Sequence, residues 1–505
     1  MMAVGIGARR KDTLSVVISA LYSTHHLQKM IAVSLQLAPE ELMLVIASHL
    51  IGELPKAVRQ KTRIILIDNP STPFAGRKLA AEKARGELLL ILGEDQWYSP
   101  AALQRFLFPM RYGNAEIVLP QAGTLTRDKK NDKPINSFSY LLNDLYDRAD
   151  LQEASLLSTP HGITKRAVQR LGTVLLEHPA QAHRKLIQSG LQIVTQVLEP
   201  LPGSPPFNPQ LYGALRSELS TYEKAVIKEQ LDVIAVLSER GGLTDGGRKR
   251  EGLVSTRSQQ PVAFGQEQSL SVIIPARNEA RTIEAVIREV GLLDPAEVIV
   301  IVNGSTDQTA RIARKCGATT VVFSEVLGVD SGRGAGASLA TGGILLFVDA
   351  DFVIPAQELY PFVLGCRRGM DLALNDQSAF LESQHARNVV VAARRALNLA
   401  LNRKDLEVGS MLAVPFALRR EAFARLGWSL LACPPKAQAA AIMAGLNVQQ
   451  AYQVDSFASN RFRTEKHVAR KGRSSAADQI IGDHIEAFHY IIQNTCKEVI
   501  TCHSE

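Results

Sequence analysis

Cysteine is scarce in this chain. Cys316, Cys366, Cys433, Cys496 and Cys502 are an odd number with no Cys-x-x-Cys pair among them. Neither a disulfide framework nor a zinc site is suggested, and a reducing cytoplasmic location fits. Long apolar runs are missing too. Runs such as Val298–Val302 and Ile344–Val348 span five residues, where a bilayer needs about 20, so they read as buried strands. Met1–Arg10 is followed by Lys11 and Asp12 instead of an apolar core, and no export signal is expected. Charge of one sign is also not concentrated: the net +7 is spread along the chain, with one local basic run at Arg461–Arg473. Such a run suits phosphates or an anionic membrane surface, or simply faces solvent. No nucleic-acid partner is expected, whereas peripheral contact with the inner face of a membrane and oligomerisation stay open.

What is present is an ordinary globular composition, 46% hydrophobic and 21% charged, which leaves no room for a dominant disordered region. The 505 residues exceed one domain of roughly 100–200 residues, so two large domains are expected. Self-similarity supports that division. Leu14–Ala20 resembles Leu270–Ala276 at an offset of 256, and the same offset sets Gly86–Asp95 against Gly342–Asp351. At 255, Ile163–Ala167 meets Leu418–Ala422, and at 254, Val226–Asp232 meets Ile480–Glu486. The chain reads as a tandem duplication. Gly, Arg, Ser and Gln crowd Gly241–Gln268, as in a linker, giving domains over residues 1–240 and 269–505, the second with a C-terminal helical tail. Within that copy, β-branched runs alternate with helical periods: Val272–Ile274, Thr282–Val290, Val298–Val302, Thr309–Lys315 and Val321–Phe323. The alternation predicts an α/β fold class, each copy a mostly parallel sheet covered by helices, with ligands outside the carboxyl ends of the strands.

The polar motifs follow predicted strands. Pro275-Ala276-Arg277-Asn278-Glu279 and Asn303-Gly304-Ser305-Thr306-Asp307 are strand-to-helix turns, and Ser305 or Asp307 can cap the helix starting near Thr309. Gly332-Arg333-Gly334-Ala335-Gly336-Ala337 reads as a flexible loop before a helix, able to meet a diphosphate through backbone amides and an arginine. These glycines follow the third strand, not the first, which excludes a dinucleotide fingerprint. The sharpest signal is the strand Ile344–Val348, which delivers Asp349 and Asp351 to its carboxyl end, on one face by their i, i+2 spacing. Two adjacent carboxylates repel, and a hard cation such as Mg2+ or Mn2+ relieves the repulsion. Turn or capping duty is the plain alternative for an isolated Asp-x-Asp.

In order and spacing, these motifs together with Arg419-Arg420-Glu421-Ala422-Phe423 resemble family-2 glycosyltransferases of the GT-A fold, well over Leu270–Val448 and more weakly over Leu14–Val197. The resemblance implies two tandem GT-A domains, a UDP- or GDP-linked nucleotide-sugar donor, a divalent metal and transfer to an acceptor that it does not name. By that resemblance Pro275, Ala276, Arg277, Glu279 and Asn303 would line the nucleoside, and Arg333 would face the base or diphosphate. Asp349 and Ala350 would lie by the donor, and Asp349 and Asp351 would bind the metal, with His467 preferred over His484 as a third ligand. Two departures stand out. Val302 replaces an Asp frequent before the Asn-Gly-Ser turn, and Cys433-Pro434 stands twelve residues before Gly445, where the family's general base resides. The acceptor is therefore expected to be anionic, or the mechanism to need no base. In the first copy Gly93-Glu94-Asp95 replaces the metal pair and Ser19-Ala20-Leu21 lacks the proline-bearing loop, so that copy reads as catalytically degenerate. A catalytically inactive nucleotide-sugar-binding or scaffolding protein is the rival reading. A sugar-phosphate nucleotidyltransferase would want a Gly-rich, lysine-bearing loop after the first strand, which is not there.

Overall fold

A computed structural model describes residues 13–22, 24, 26–70, 72–93, 97–121, 136–199, 201, 219, 221–237, 239–248, 268–379, 388–456 and 474–501. His467, the Arg461–Arg473 run, Glu94 and Asp95 lie outside them. The chain divides into two compact units, Met1–Val233 and Ile234–Glu505.

The first unit contains β1 (Leu14–Ala20), β2 (Glu41–Ala47), β3 (Arg63–Ile67), β4 (Leu88–Leu92), β5 (Ile117–Gln121), β6 (His161–Thr164) and β7 (Ile193–Val197), in the sheet order β3-β2-β1-β4-β6-β5-β7. The second contains β8 (Leu270–Ala276), β9 (Glu297–Asn303), β10 (Thr319–Phe323), β11 (Ile344–Phe347), β12 (Leu372–Asn375), β13 (Phe416–Arg419) and β14 (Val448–Tyr452), in the order β10-β9-β8-β11-β13-β12-β14. The two orders are the same. Only β6 and β13 run antiparallel to their neighbours. The expected α/β class, two mostly parallel sheets covered by helices, is what the chain adopts.

Near-continuous Val, Ile and Leu runs form the central strands because both faces are covered; Val272, Ile273, Ile274, Val300, Ile301, Leu345 and Leu346 are all fully buried. Helix Ile283–Gly291 covers one face through Ile283, Val286, Ile287 and Val290, the i, i+3, i+4, i+7 stripe of an amphipathic helix. Both units carry the same polar lock at the amino end of the first strand. Ser271 Oγ donates to Glu297 Oε1 at 2.7 Å and accepts from Gly342 N at 2.8 Å. Ser15 Oγ likewise donates to Glu41 at 2.7 Å and accepts from Gly86 N at 2.9 Å.

Glycines 332, 334 and 336 correct an expectation. They lie inside helix Ser331–Leu339, eight of whose nine residues are buried, rather than in a flexible loop before a helix. The reason is close packing: a Cβ on Gly336 would sit 2.4 Å from Ile273 Cγ2, and one on Gly332 3.2 Å from Pro275 Cβ. Small residues let the helix lie directly on β8.

Residues at the start of the expected linker and just before it also have a place. Arg240 Nη1 reaches Asp483 Oδ1 at 2.5 Å and Glu486 Oε1 at 2.6 Å, and Arg248 Nη2 reaches Asp483 Oδ1 at 2.6 Å. Both acids belong to the C-terminal helix Ser475–Thr501. Among the described residues no helix is long and apolar enough to cross a membrane.

Candidate active site

Three strand ends of the second unit converge on one edge, since β8 pairs in parallel with both β9 and β11. The turns after β8 and β9 are tied together. Asn278 adopts φ +58°, a left-handed conformation that Asn tolerates. Its N–H donates to Ser305 Oγ at 3.0 Å, and its Oδ1 accepts from Thr306 N at 2.8 Å. Asp307 accepts from Ala280 N at 3.1 Å and from Thr309 N at 3.0 Å. Partial burial works against its charge, but these amides and the Thr309 hydroxyl hold the carboxyl below its ordinary value. Asp307 thus joins two loops as well as steadying the helix start, while the formal cap, Gln308, makes no side-chain capping bond.

Pro275 and Ala276 end β8, Arg277 is exposed beyond them, and Glu279 is buried with its N–H on Thr309 Oγ1 at 2.8 Å. Asn303 is buried, and its amide is engaged within the protein: Nδ2 donates to Gly328 O at 2.7 Å and Oδ1 accepts from Leu327 N at 2.6 Å. That amide fixes the loop before the arginine helix.

Arg333, only 6% exposed, is the electrostatic centre. Its Nη1 donates to Met411 O at 3.1 Å and lies 3.3 Å from Asp330 Oδ1, while Nη2 lies 3.5 Å from Asp349 Oδ1. Burial alone would depress the guanidinium, yet Asp330 and then Asp349 hold it above its ordinary value. Asp349 is partly open, with 36% of its side chain exposed. Ala350 is buried and its carbonyl accepts from Thr282 Oγ1 at 2.6 Å, which anchors the turn between the two acids. Asp351 is half-buried, with Oδ1 covered.

The structure therefore brings Arg333, Asp349, Ala350 and Asp351 together at the ends of β8 and β11. Asp330, Thr282 and the Met411 carbonyl were missed in the sequence. Asp330 had one available signal, its i, i+3 spacing to Arg333. Carboxylate oxygens from Asp349 and Asp351 are the hard donors that Mg2+ or Mn2+ takes, with remaining positions open to water or phosphate. Among the described residues no group of three or more His, Cys, Asp or Glu side chains forms a full ligand set. His484 stands in the C-terminal helix, fully buried, with Nδ1 donating to Ile480 O at 2.7 Å.

Cys433, at the place of the absent base, is 2% exposed and donates from Sγ to Asp483 O at 3.7 Å. Burial, with Asp483 and Glu486 nearby, pushes its thiol well above its ordinary value. Asp483 is itself raised to about 7 by burial and Asp330, against the two guanidiniums that bind it.

Residues 271–427 match the family model described as Glycosyl transferase family 2. The matched segment lies within the second unit. Among curated proteins, the chain is 42% identical over 89 residues to the 4,4'-diaponeurosporenoate glycosyltransferase of Staphylococcus aureus (strain bovine RF122 / ET3-1), covering 16% of this chain and 24% of that one. It is 38% identical over 109 residues to the glucosyl-3-phosphoglycerate synthase of Mycobacterium tuberculosis (strain ATCC 25618 / H37Rv), covering 19% and 33%. The chain thus spans between a quarter and a third of these relatives. The solved structure of the M. tuberculosis synthase with Mn2+, UDP and glucosyl-3-phosphoglycerate is similar at 21% identity and a TM-score of 0.30, over 43% of this chain and 77% of that one. At that score the likeness carries no weight for function. Both Asp349 and Asp351 fall inside the matched glycosyltransferase segment.

Proposed function

We propose that the second unit transfers a sugar from a nucleotide diphosphate, UDP in the first instance, to an acceptor, and that the first unit is a duplicated copy without that chemistry. The reading rests above all on Asp349, Asp351 and the buried Arg333 meeting at one sheet edge, Arg333 at 3.5 Å from Asp349, inside the family match.

Breaking the donor bond leaves negative charge on a diphosphate, and preorganised positive charge lowers that barrier. Arg333 supplies one such charge, held in place by Asp330 and the Met411 carbonyl so that little reorganisation is needed. Asp349 and Asp351 would hold a divalent cation, which supplies Lewis-acid neutralisation of the leaving diphosphate. Asn278, Ser305 and Asp307 lock the loops that would frame the nucleoside, leaving Arg277 and Pro275 on the open side.

No ionisable base arises at Cys433, because its thiol is held protonated. An acceptor whose attacking group is already anionic, or a reaction without proton abstraction by the enzyme, meets that constraint. The same observation favours the rival reading of a nucleotide-sugar-binding protein without transfer. Incubating the chain with UDP- and GDP-sugars and two acceptor sets, phosphorylated or carboxylated against neutral, decides between them. Sugar transfer to the anionic set is expected. Transfer only to neutral hydroxyls overturns the acceptor argument, and metal-linked nucleotide binding without any product establishes the rival.

Duplication is supported by the shared strand order and shared locks. Asn143 Nδ2 donates to Gln152 O and Ala154 O at 2.8 and 3.0 Å, and Asn398 Nδ2 to Glu407 O and Gly409 O at 3.0 Å each. Degeneracy of the first copy follows from Gly93 standing where Asp349 stands in the second.

A further inference from the structure

The carboxyl edge of the second sheet extends past the donor side, because β12 runs parallel to β14 and, through antiparallel β13, in the same direction as β11. Just beyond β12 lies Gln377, and just beyond β14 lies Ser456; both are buried, and Gln377 Nε2 donates to Ser456 Oγ at 2.5 Å. Gln377 Oε1 accepts from Arg394 Nη1 at 2.6 Å.

Arg394 comes from helix Val389–Ala400 and is only 6% exposed. Its Nε is buried without a hydrogen-bond partner, and no carboxylate of the described residues pairs with it. Burial lowers the guanidinium to about 10, so it remains charged at neutral pH. On the C-terminal helix, His484 feels Arg394: it is pushed down to about 4, chiefly by burial and also by that guanidinium, and brings no negative charge. Its Nδ1–H is engaged with Ile480 O, and its Nε2 is buried without a partner. A guanidinium removed from water without a counter-charge is costly to the fold.

The fold does not require that charge. In the first unit, Ser139 of helix Asn136–Leu145 and Gln230 of helix Thr221–Ile234 stand at the positions matching Arg394 and His484. Both are buried, and Gln230 Nε2 donates to Ser139 Oγ at 3.4 Å. A neutral, hydrogen-bonded pair fills the place where the second unit keeps a cation that no carboxylate of the described residues pairs with.

We infer that Arg394, with Gln377, Ser456 and His484 beside it, is a subsite for an oxyanion, a carboxylate or phosphate group that belongs to the acceptor. The guanidinium would supply charge and N–H donors, and the Ser456 hydroxyl, already accepting from Gln377, keeps its proton to donate. Its position on the β12–β14 side separates it from the Asp349, Asp351 and Arg333 cluster. Assigning the anion to an acceptor rests on the transfer reaction proposed above; the anion site itself does not.

Thermal unfolding of the full chain, titrated with inorganic phosphate or with acetate in metal-free buffer, tests the site. One of the two anions should raise the melting temperature by several degrees, phosphate or acetate telling which group is recognised. The Arg394→Ser, His484→Gln variant, which installs the first unit's pair, should lose that response yet keep any shift produced by UDP with Mn2+. Arg394→Lys, which retains charge without the planar fork, should need at least ten times more anion for half its effect. No response to either anion in the parent, or an equal half-effect concentration in Arg394→Lys, overturns the site. Loss of the UDP response alone would count against the donor reading and leave the anion site standing.

Discussion

Arg77 in the first unit and Arg333 in the second occupy matching positions, and their surroundings separate scaffold from chemistry. Each is buried and each donates from Nη1 to a matching carbonyl, Leu156 O at 3.3 Å and Met411 O at 3.1 Å. Around Arg333 stand Asp330 and Asp349. The corresponding places hold Phe74, whose ring lies 4.8 Å from the Arg77 guanidinium, and Gly93. The buried arginine is thus a feature of the fold, bridging a helix to a loop, and in the second unit Asp330 and Asp349 stand beside it. An arginine motif is by itself a poor guide to catalysis; the company of carboxylates at the strand end is the better one.

That contrast can be broken most sharply by removing each arginine in turn. Arg333→Ala should lower sugar-transfer turnover by about 10²–10³-fold, the usual loss when one preorganised charge-stabilising group is deleted. Arg77→Ala should leave turnover within about threefold, since scaffold loss acts through stability. Steady-state assays on both variants check this, and equal losses would dissolve the distinction.

Helix packing sharpens the comparison at a smaller scale. Gly336 lies against Ile273, whereas the first unit has buried Ala80 at the matching position. Gly336→Ala should destabilise the second unit by about 1–3 kcal/mol, because the added methyl overpacks the contact. Ala80→Gly should cost about 0.5–1 kcal/mol, mainly through backbone entropy. Denaturant unfolding of each variant measures both values.

The smallest effect at neutral pH concerns His183, whose Nε2 donates to Asn143 Oδ1 at 2.7 Å where the second unit uses Gln438 on Asn398 at the same distance. Burial, aided by Arg148, pushes His183 down to about 3. A depressed pKa contributes stability that is present above the ordinary histidine value and is lost as pH falls from about 6.5 towards 3. His183→Gln should therefore change little at pH 7 and make the first unit unfold at lower pH than the parent in an acid titration followed by circular dichroism.

Much of the fold was legible because its signals are local. Helix Thr309–Lys315 lies where its period predicts, and the runs Val272–Ile274 and Val298–Val302 are the cores of β8 and β9. The Gly332–Ala337 segment was misread because glycine signals flexibility in a sequence, while here it reports a neighbour too close for a Cβ. The Asn303 amide also closes a loop 24 and 25 residues further along, a pairing that no local pattern reveals. Arg394, Gln377 and Ser456 gave no motif at all, and His484 drew notice only as a candidate metal ligand, since the four meet only when β12, β14 and two helices assemble. Asp349 and Asp351 were visible because both directly follow one apolar strand.

The decisive measurement is calorimetric titration of UDP into the full chain, with Mn2+ and with a chelator, for the parent and for Asp351→Ala. The account predicts at least tenfold tighter binding with metal in the parent and no such gain in the variant. Equal affinity with and without Mn2+ in the parent, or an undiminished metal effect after Asp351 is removed, would contradict it.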